Sequence, residues 1–246
     1  MLAIDLPGIG MSEPIASGDK RCLAEFINQV LEVLHLERIV LVGHDIGGMT
    51  AYSFIKKYPE KLHKAVIMNT VIPGVDPWEQ VKRNPHIWHF ALYAVPALPE
   101  AVFAGKQRAL FDYFYDTLSF NKQAIDDNKR EEYANAYHNI IALKTSFDWY
   151  RAFPQDEKDN APNTPVNIPV LYIRGDKESG NIDEYAEGLR QRGIHDLRCE
   201  LIENCGHFAP EEQVDKVTEL IREFIEEVDM VDKVDSVDRV NKGLTS

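Results

Sequence analysis

Short apolar runs alternate with stretches of three- and four-residue periodicity along the N-terminal part of the chain. Leu2-Ala3-Ile4 is one such run, and it leads into the glycine-rich segment Asp5-Leu6-Pro7-Gly8-Ile9-Gly10-Met11-Ser12. Leu23, Phe26, Ile27, Val30, Leu31 and Leu34 then recur at the spacing of one helix face. Residues 39–42 and 65–68 read as buried strands, with a helical stretch over 49–58 between them that ends at Pro59. The order strand, helix, strand, helix, strand predicts a parallel sheet, since parallel neighbours need a crossover long enough for a helix.

The pattern changes at residue 73. Up to residue 165 no clear strand is visible, most of the aromatics are concentrated, and helical stretches fall at 84–93, 99–118 and 130–151. This is the pattern of a helical insert laid over a sheet. Residues 156–165 are polar and proline-containing, and read as a linker back to the core. Strand character returns at 169–173, followed by a helix over 182–192, an alternating edge strand at 197–201 and an amphipathic helix from Val214 to Val228. The expected organisation is a first core segment over 1–72, a helical cap over 73–165, a second core segment over 166–228 and a tail over 229–246. In the tail, valines recur every three residues from Val228 to Val240, which fits neither helix nor strand, so disorder without a catalytic role is expected.

Composition narrows the function classes. Forty acidic against 27 basic residues give a net charge of −13, which disfavours nucleic acid and anionic membrane as partners. No apolar run approaches the roughly 20 residues of a membrane span, and no signal-peptide pattern opens the chain. Cys22, Cys199 and Cys205 are too few for a disulfide framework and show no metal-binding spacing. A cytoplasmic protein with reduced thiols is expected, without metal or cofactor; a homodimer stays open.

The candidate chemistry begins at Gly43-His44-Asp45-Ile46-Gly47-Gly48, where a strand breaks into a glycine-lined turn ahead of a helix. This is the context of a nucleophile elbow, with Asp45 where many hydrolases carry Ser. A carboxylate there suggests attack on a saturated carbon to give an alkyl ester. An acid in the 176–183 loop (Asp176, Glu178 or Asp183) and then His207 follow later strands. The order nucleophile, acid, histidine suits a triad in which His207 activates water against the ester.

These motifs resemble the α/β-hydrolase superfamily in its Asp-nucleophile branch, which includes soluble epoxide hydrolases and haloalkane and fluoroacetate dehalogenases. The segment from Asp5 to Ser12 resembles the D-x-x-G-x-G-x-S loop before the elbow unit, and Gly206-His207-Phe208 resembles the histidine loop. Asp148-Trp149-Tyr150-Arg151 resembles the cap segment whose tyrosine faces the nucleophile. The resemblance implies an α/β-hydrolase core with an inserted helical cap. It also implies Glu178, three residues after the glycine ending its strand, as the acid, and the N–H of Ile46 as an oxyanion donor.

Departures from the family narrow the substrate. Ile46 stands where many epoxide hydrolases and haloalkane dehalogenases have a Trp, which in the dehalogenases holds halide, and Ile46 and Met49 stand where fluoroacetate dehalogenases place carboxylate-clamping arginines. In Trp88-His89-Phe90, His89 matches the dehalogenase halide pair, whereas Phe90 offers no hydrogen bond. Tyr150 remains as the clear donor; Tyr93, Tyr113 and Tyr115 are expected to pack the cap. A small neutral organic substrate is therefore expected, an epoxide first, with a dehalogenase or a catalytically inactive fragment as alternatives. The family's His-Gly-x-Pro turn, carried on a central strand, is absent from the sequence. The chain is thus expected to be N-terminally truncated, with the gap beside residues 39–42 either open or closed by direct pairing with residues 2–4.

Overall fold

The computed structural model describes residues 1–227. The expected tail over 229–246, and Val228 before it, lie outside the described residues. A four-stranded parallel sheet carries β1 (Ile39–His44), β2 (Leu62–Met68), β3 (Val170–Gly175) and β4 (Leu197–Ile202) in simple sequence order. The crossovers are α2 (Ile46–Lys57) after β1 and α10 (Ile182–Gln191) after β3, while α1 (Lys20–Val33) precedes β1 and α12 (Val214–Glu226) follows β4. Between β2 and β3 lie only helices: α3 (Trp78–Lys82), α4 (Trp88–Ala94), α5 (Leu98–Phe103), α6 (Gln107–Leu118), α7 (Asp127–Ala136), α8 (Ile140–Arg151) and α9 (Phe153–Asp159). A short helix α11 (Ala209–Glu212) follows the histidine loop.

Strand alternation sorts the core. Ala65, Ile67, Val170 and Tyr172 point into the larger cluster with Leu23 and Ile27 of α1, Tyr52 and Phe54 of α2, and Leu189 of α10. Their neighbours Val66, Met68, Leu171 and Ile173 face the other way, onto Val217 and Phe224 of α12. A period of two on a sheet buried on both faces produces this division, and explains why these strands read as continuous apolar runs. The cap has a separate small core of Tyr93, Leu110, Leu143 and Phe147.

Several sequence expectations need correction. Residues 2–4 form no strand: Leu2 and Ile4 are exposed, and among the described residues no ladder reaches them and none pairs with the free side of β1, on which Val42 is exposed. An apolar triplet becomes a strand only against a partner. The expected helix over 99–118 is two, broken by Gly105 at φ 73°. That over 130–151 is also two, because Asn139 caps α8 through the Ala142 N–H. The supposed linker overlaps α9, which a proline at its start and the buried Asp156 support. Cys22, Cys199 and Cys205 are free thiols. Among the described residues no helix is long and apolar enough to cross a membrane.

Cap and core are joined by a buried ion pair. Lys20, at the start of α1, sets its Nζ 2.9 Å from Asp156 of α9, and both side chains are almost wholly enclosed, at 2% and 1% exposure. The Lys20 N–H also donates to Asp156 Oδ1 at 2.8 Å, and Nζ donates to the Trp149 carbonyl at 2.5 Å. Removing one partner strands the other charge in the interior, so Lys20→Met should lower unfolding free energy by about 3–5 kcal/mol. The double change Lys20→Met/Asp156→Leu should recover much of that loss in urea titrations. A double variant as unstable as the single one would show that packing, not the stranded charge, sets the penalty.

Candidate active site

The site lies at the carboxyl ends of the parallel strands, where each strand gives way to a loop. Asp45 follows β1 directly, with φ 50° and ψ −120°, a conformation disfavoured for a residue with a side chain. Neighbouring backbone holds it there. The Asp45 N–H donates to Met68 O at 3.1 Å, and its carbonyl accepts the Met49 N–H at 3.0 Å. Gly43 is required by closeness: a Cβ there would lie 2.2 Å from Gly47 O. The turn thus projects the Asp45 carboxylate clear of the sheet, with 41% of the side chain open to solvent.

His207 sits in the loop after β4, with Nε2 3.9 Å from Asp45 Oδ2 and Nδ1 2.9 Å from Glu178 Oε1. Glu178, in the loop after β3, is held from its other side. Its Oε2 accepts Asn69 Nδ2 at 3.0 Å and lies 3.1 Å from the Arg174 guanidinium. Of the three acids open from the sequence, only Glu178 meets His207. Asp176 accepts the Cys205 N–H at 3.1 Å and pairs with Lys177, and Asp183 stands in the first turn of α10. Sequence reading did not single out Asn69, Arg174 or His44. Asn69 follows β2 at φ 46°; Arg174 lies in β3, buried under Tyr185 with its guanidinium 4.0 Å from the ring centroid. The His44 ring bonds the His207 carbonyl through Nε2 at 2.7 Å.

From the cap, His89 and Tyr150 lie together, their rings 5.7 Å apart, within an aromatic group that includes Phe90, Tyr93 and Phe153. Phe90 packs between Trp78, Tyr150 and Phe153. Trp88 turns away to the cap: its N–H donates to Tyr113 Oη at 3.2 Å and its ring stacks on Phe114. Tyr93 and Tyr115 are buried packing residues. The Ile46 N–H belongs to the first turn of α2, where helical amides have no intrahelical acceptor. Ile46 and Met49 are buried, apolar neighbours of Asp45.

The charges are mutually adjusted. Burial pushes the Asp45 carboxyl up, but the His207, His44 and His89 rings outweigh this and hold it below the ordinary aspartate value. Burial likewise pushes Glu178 up, and His207, Arg174 and Asn69 together hold it down. For His207 burial pulls the imidazolium down, yet the Asp45 and Glu178 carboxylates dominate and raise it to about 10. Burial lowers His89 to about 4, so its ring is neutral near pH 7. Burial, then the charge on Asp45, raises Tyr150 well above its ordinary value and keeps the phenol protonated.

A family description reading alpha/beta hydrolase fold matches residues 1–214, and the chain belongs to that family. Among curated relatives, epoxide hydrolase 1 of Caenorhabditis elegans is 23% identical over 237 residues, covering 91% of this chain and 57% of that protein. The chain thus spans little more than half the length of that relative. The soluble epoxide hydrolase of Corynebacterium sp. strain C12 is 25% identical over 228 residues, 87% of this chain and 76% of that one. Among solved structures, wild-type Cfl2 of Burkholderia cenocepacia superposes with a TM-score of 0.79 at 30% identity, covering 89% of this chain and 76% of its own. The chain is distantly related to epoxide hydrolases of the Asp-nucleophile branch over most of its length.

The folded pKa of His207 lies above its unfolded value of about 6.5, so the charged ring stabilises the fold. That contribution is complete below about pH 6.5 and is lost as pH rises through about 10. Unfolding free energy, measured in urea, should therefore fall from about pH 7 to pH 10, and fall less in His207→Gln. Parallel curves for the two proteins would contradict the paired imidazolium.

Proposed function

We propose that the chain hydrolyses a small neutral epoxide to a diol through an alkyl ester on Asp45. The observation that carries this reading is the row Asp45, His207, Glu178, with a carboxylate at the elbow and the imidazole fixed by the acid at 2.9 Å. Asp45 is ionised and attacks an epoxide carbon; the carbon–oxygen bond of the ring breaks, and the oxygen takes a proton from Tyr150, with neutral His89 beside it as a second donor. Burial keeps the Tyr150 phenol protonated and leaves the His89 ring neutral near pH 7, so His89 offers an N–H hydrogen bond rather than an acidic proton.

Ester formation then changes His207. While Asp45 is charged, the imidazole has carboxylates on both sides and holds its proton. Esterification removes one of these charges, so the His207 pKa falls and a neutral base becomes available for the second step. His207 then takes a proton from water, the hydroxide adds to the Asp45 carbonyl carbon, and the developing oxyanion meets the Ile46 N–H. Collapse breaks the ester: the leaving alkoxide takes the proton from His207 to complete the diol, and the Asp45 carboxylic acid so formed gives up its proton, which restores the Tyr150 phenol. Serine hydrolases need the base in the first step; here it is needed only in the second.

A neutral substrate follows from the surroundings of Asp45. A substrate carboxylate would lie against Ile46 and Met49 without a cation, and a buried unpaired charge is costly. Dehalogenation is less well supported, since Trp88 spends its N–H on Tyr113 and the side chain at position 46 carries no donor.

The test is intact-protein mass spectrometry with styrene oxide. His207→Gln should accumulate an adduct that Asp45→Asn lacks, and diol formation should exceed fluoride release from fluoroacetate. Equal adduct on both variants would move the nucleophile; faster fluoride release would reverse the substrate assignment; no adduct and no turnover would favour a catalytically inactive protein. Glu178→Gln should slow ester hydrolysis by about 10²-fold or more, and Asp176→Asn by much less. The opposite order would transfer the orienting role to Asp176.

A further inference from the structure

Glu212, the last residue of α11, is 7% exposed, and among the described residues no cation lies against it. An ionised carboxylate is costly to bury unless hydrogen bonds replace its water. Backbone N–H groups do so here. Oε2 accepts from Phe120 at 2.8 Å and Asn121 at 2.9 Å, in the segment following α6 of the cap. Both oxygens lie 3.1 Å from the Gly206 N–H, and Oε1 also accepts the Phe208 N–H at 3.1 Å. One pair of donors therefore belongs to the cap, and the other brackets His207. The His207 N–H itself donates to Leu118 O at 3.0 Å. The two segments meet without space between them, since a Cβ on Gly206 would lie 2.3 Å from Leu118 O.

We infer that Glu212 is a positioning residue that fastens the His207 loop to residues 118–121 of the cap, so that the imidazole stands between Asp45 and Glu178 only while the cap is seated. This rests on the reading of His207 as the base for ester hydrolysis. The cap then contributes to the second step through the backbone of the histidine loop, in addition to the donors it presents to the substrate. Glu211 beside it supplies the comparison. It ties the same turn to α7, through Lys129 at 2.7 Å and through Tyr133, but touches none of the amides that bracket His207. Cutting it loosens the cap without releasing the histidine loop.

The experiment uses the full chain with Glu212→Gln, Glu212→Asp and Glu211→Gln. A first measurement needs no substrate: titration of the His207 ring by NMR. Glu212→Gln should move that titration down toward the ordinary histidine range, with Glu211→Gln unchanged. The second measurement is the decay of the styrene oxide ester on Asp45 after rapid quench, a first-order rate independent of the folded fraction. Glu212→Gln should slow this decay by about tenfold or more, while ester formation changes less.

An unchanged His207 titration with decay within about twofold of the unaltered chain would overturn the proposal. So would an equal effect of Glu211→Gln. Loss of cooperative folding in both Glu212 variants would make the residue structural only, and would overturn it too. Absence of any ester on the unaltered chain is a different failure: it removes the reaction proposed for Asp45, while the titration still decides the role of Glu212.

Discussion

Asp45 is held at φ 50° at the junction of β1 and α2, and the level ends of the parallel strands sustain it. A non-glycine residue in such a conformation costs about 1–3 kcal/mol and persists only where its surroundings determine it. The His44–Met68 register places Met68 O under the Asp45 amide. The next pairing places Ile173 O under the Asn69 amide, and the third places Ile202 O under that of Asp176. The same parallel register that fixes the strained turn therefore brings Asn69, Glu178 and His207 to one edge. A slip of one residue between β2 and β3 would turn every side chain beyond it to the opposite face, and would separate Asn69 from Glu178.

Along that edge the charges alternate: Arg174, Glu178, His207, Asp45. Each is partly desolvated, and each is kept ionised by its neighbour of opposite sign. Such a row stores more information than a pair. Covalent modification at its open end, on Asp45, is felt by His207 within 3.9 Å, whereas Glu178 remains clamped by Arg174 and Asn69 and changes little. In the reaction proposed for Asp45, the imidazole would thus take its basicity control from the Asp45 end and its orientation from the Glu178 end.

The strands and the glycine-lined turn at Asp45 were legible because each has a local signature: continuous apolar runs for doubly buried strands, and glycines where backbones approach. Glu178 was favoured only through the family resemblance, and the residues alone left Asp176 and Asp183 open; geometry brings Glu178 and not the other two to His207, since adjacent loop acids point in different directions. Asn69, Arg174 and Glu212 carried no signal. Asn69 acts on a residue 109 positions away and Glu212 on one 92 positions away, and no periodicity records such pairings. Helices α3, α9 and α11 were missed for a different reason: at five, seven and four residues they are too short to show a repeat. Residues 2–4 were misread because local apolarity does not supply a neighbouring strand.

The cap contributes neutral polar side chains and the core fixed charges, and the reaction proposed for Asp45 requires the two layers to be aligned on the scale of a hydrogen bond. The charged groups belong to the sheet, where backbone register places them. His89 and Tyr150 belong to helices whose own core is small, and a layer with little core of its own needs external fixing. Lys20 provides one such point. It binds the carbonyl of Trp149, the residue immediately before Tyr150, while its charge is met by Asp156 one helix further on. Glu212 provides the other, on the side of the histidine loop. Both attachments bury a charge and both act on backbone groups. Surface ion pairs of the cap such as Lys144–Asp148 are exposed and contribute roughly 0–1 kcal/mol. A desolvated charge that loses its partner is penalised at once, so these two contacts resist small displacements that exposed pairs would tolerate. The placement of His89 and Tyr150 relative to the sheet therefore depends on them more than on the many salt bridges across the cap surface.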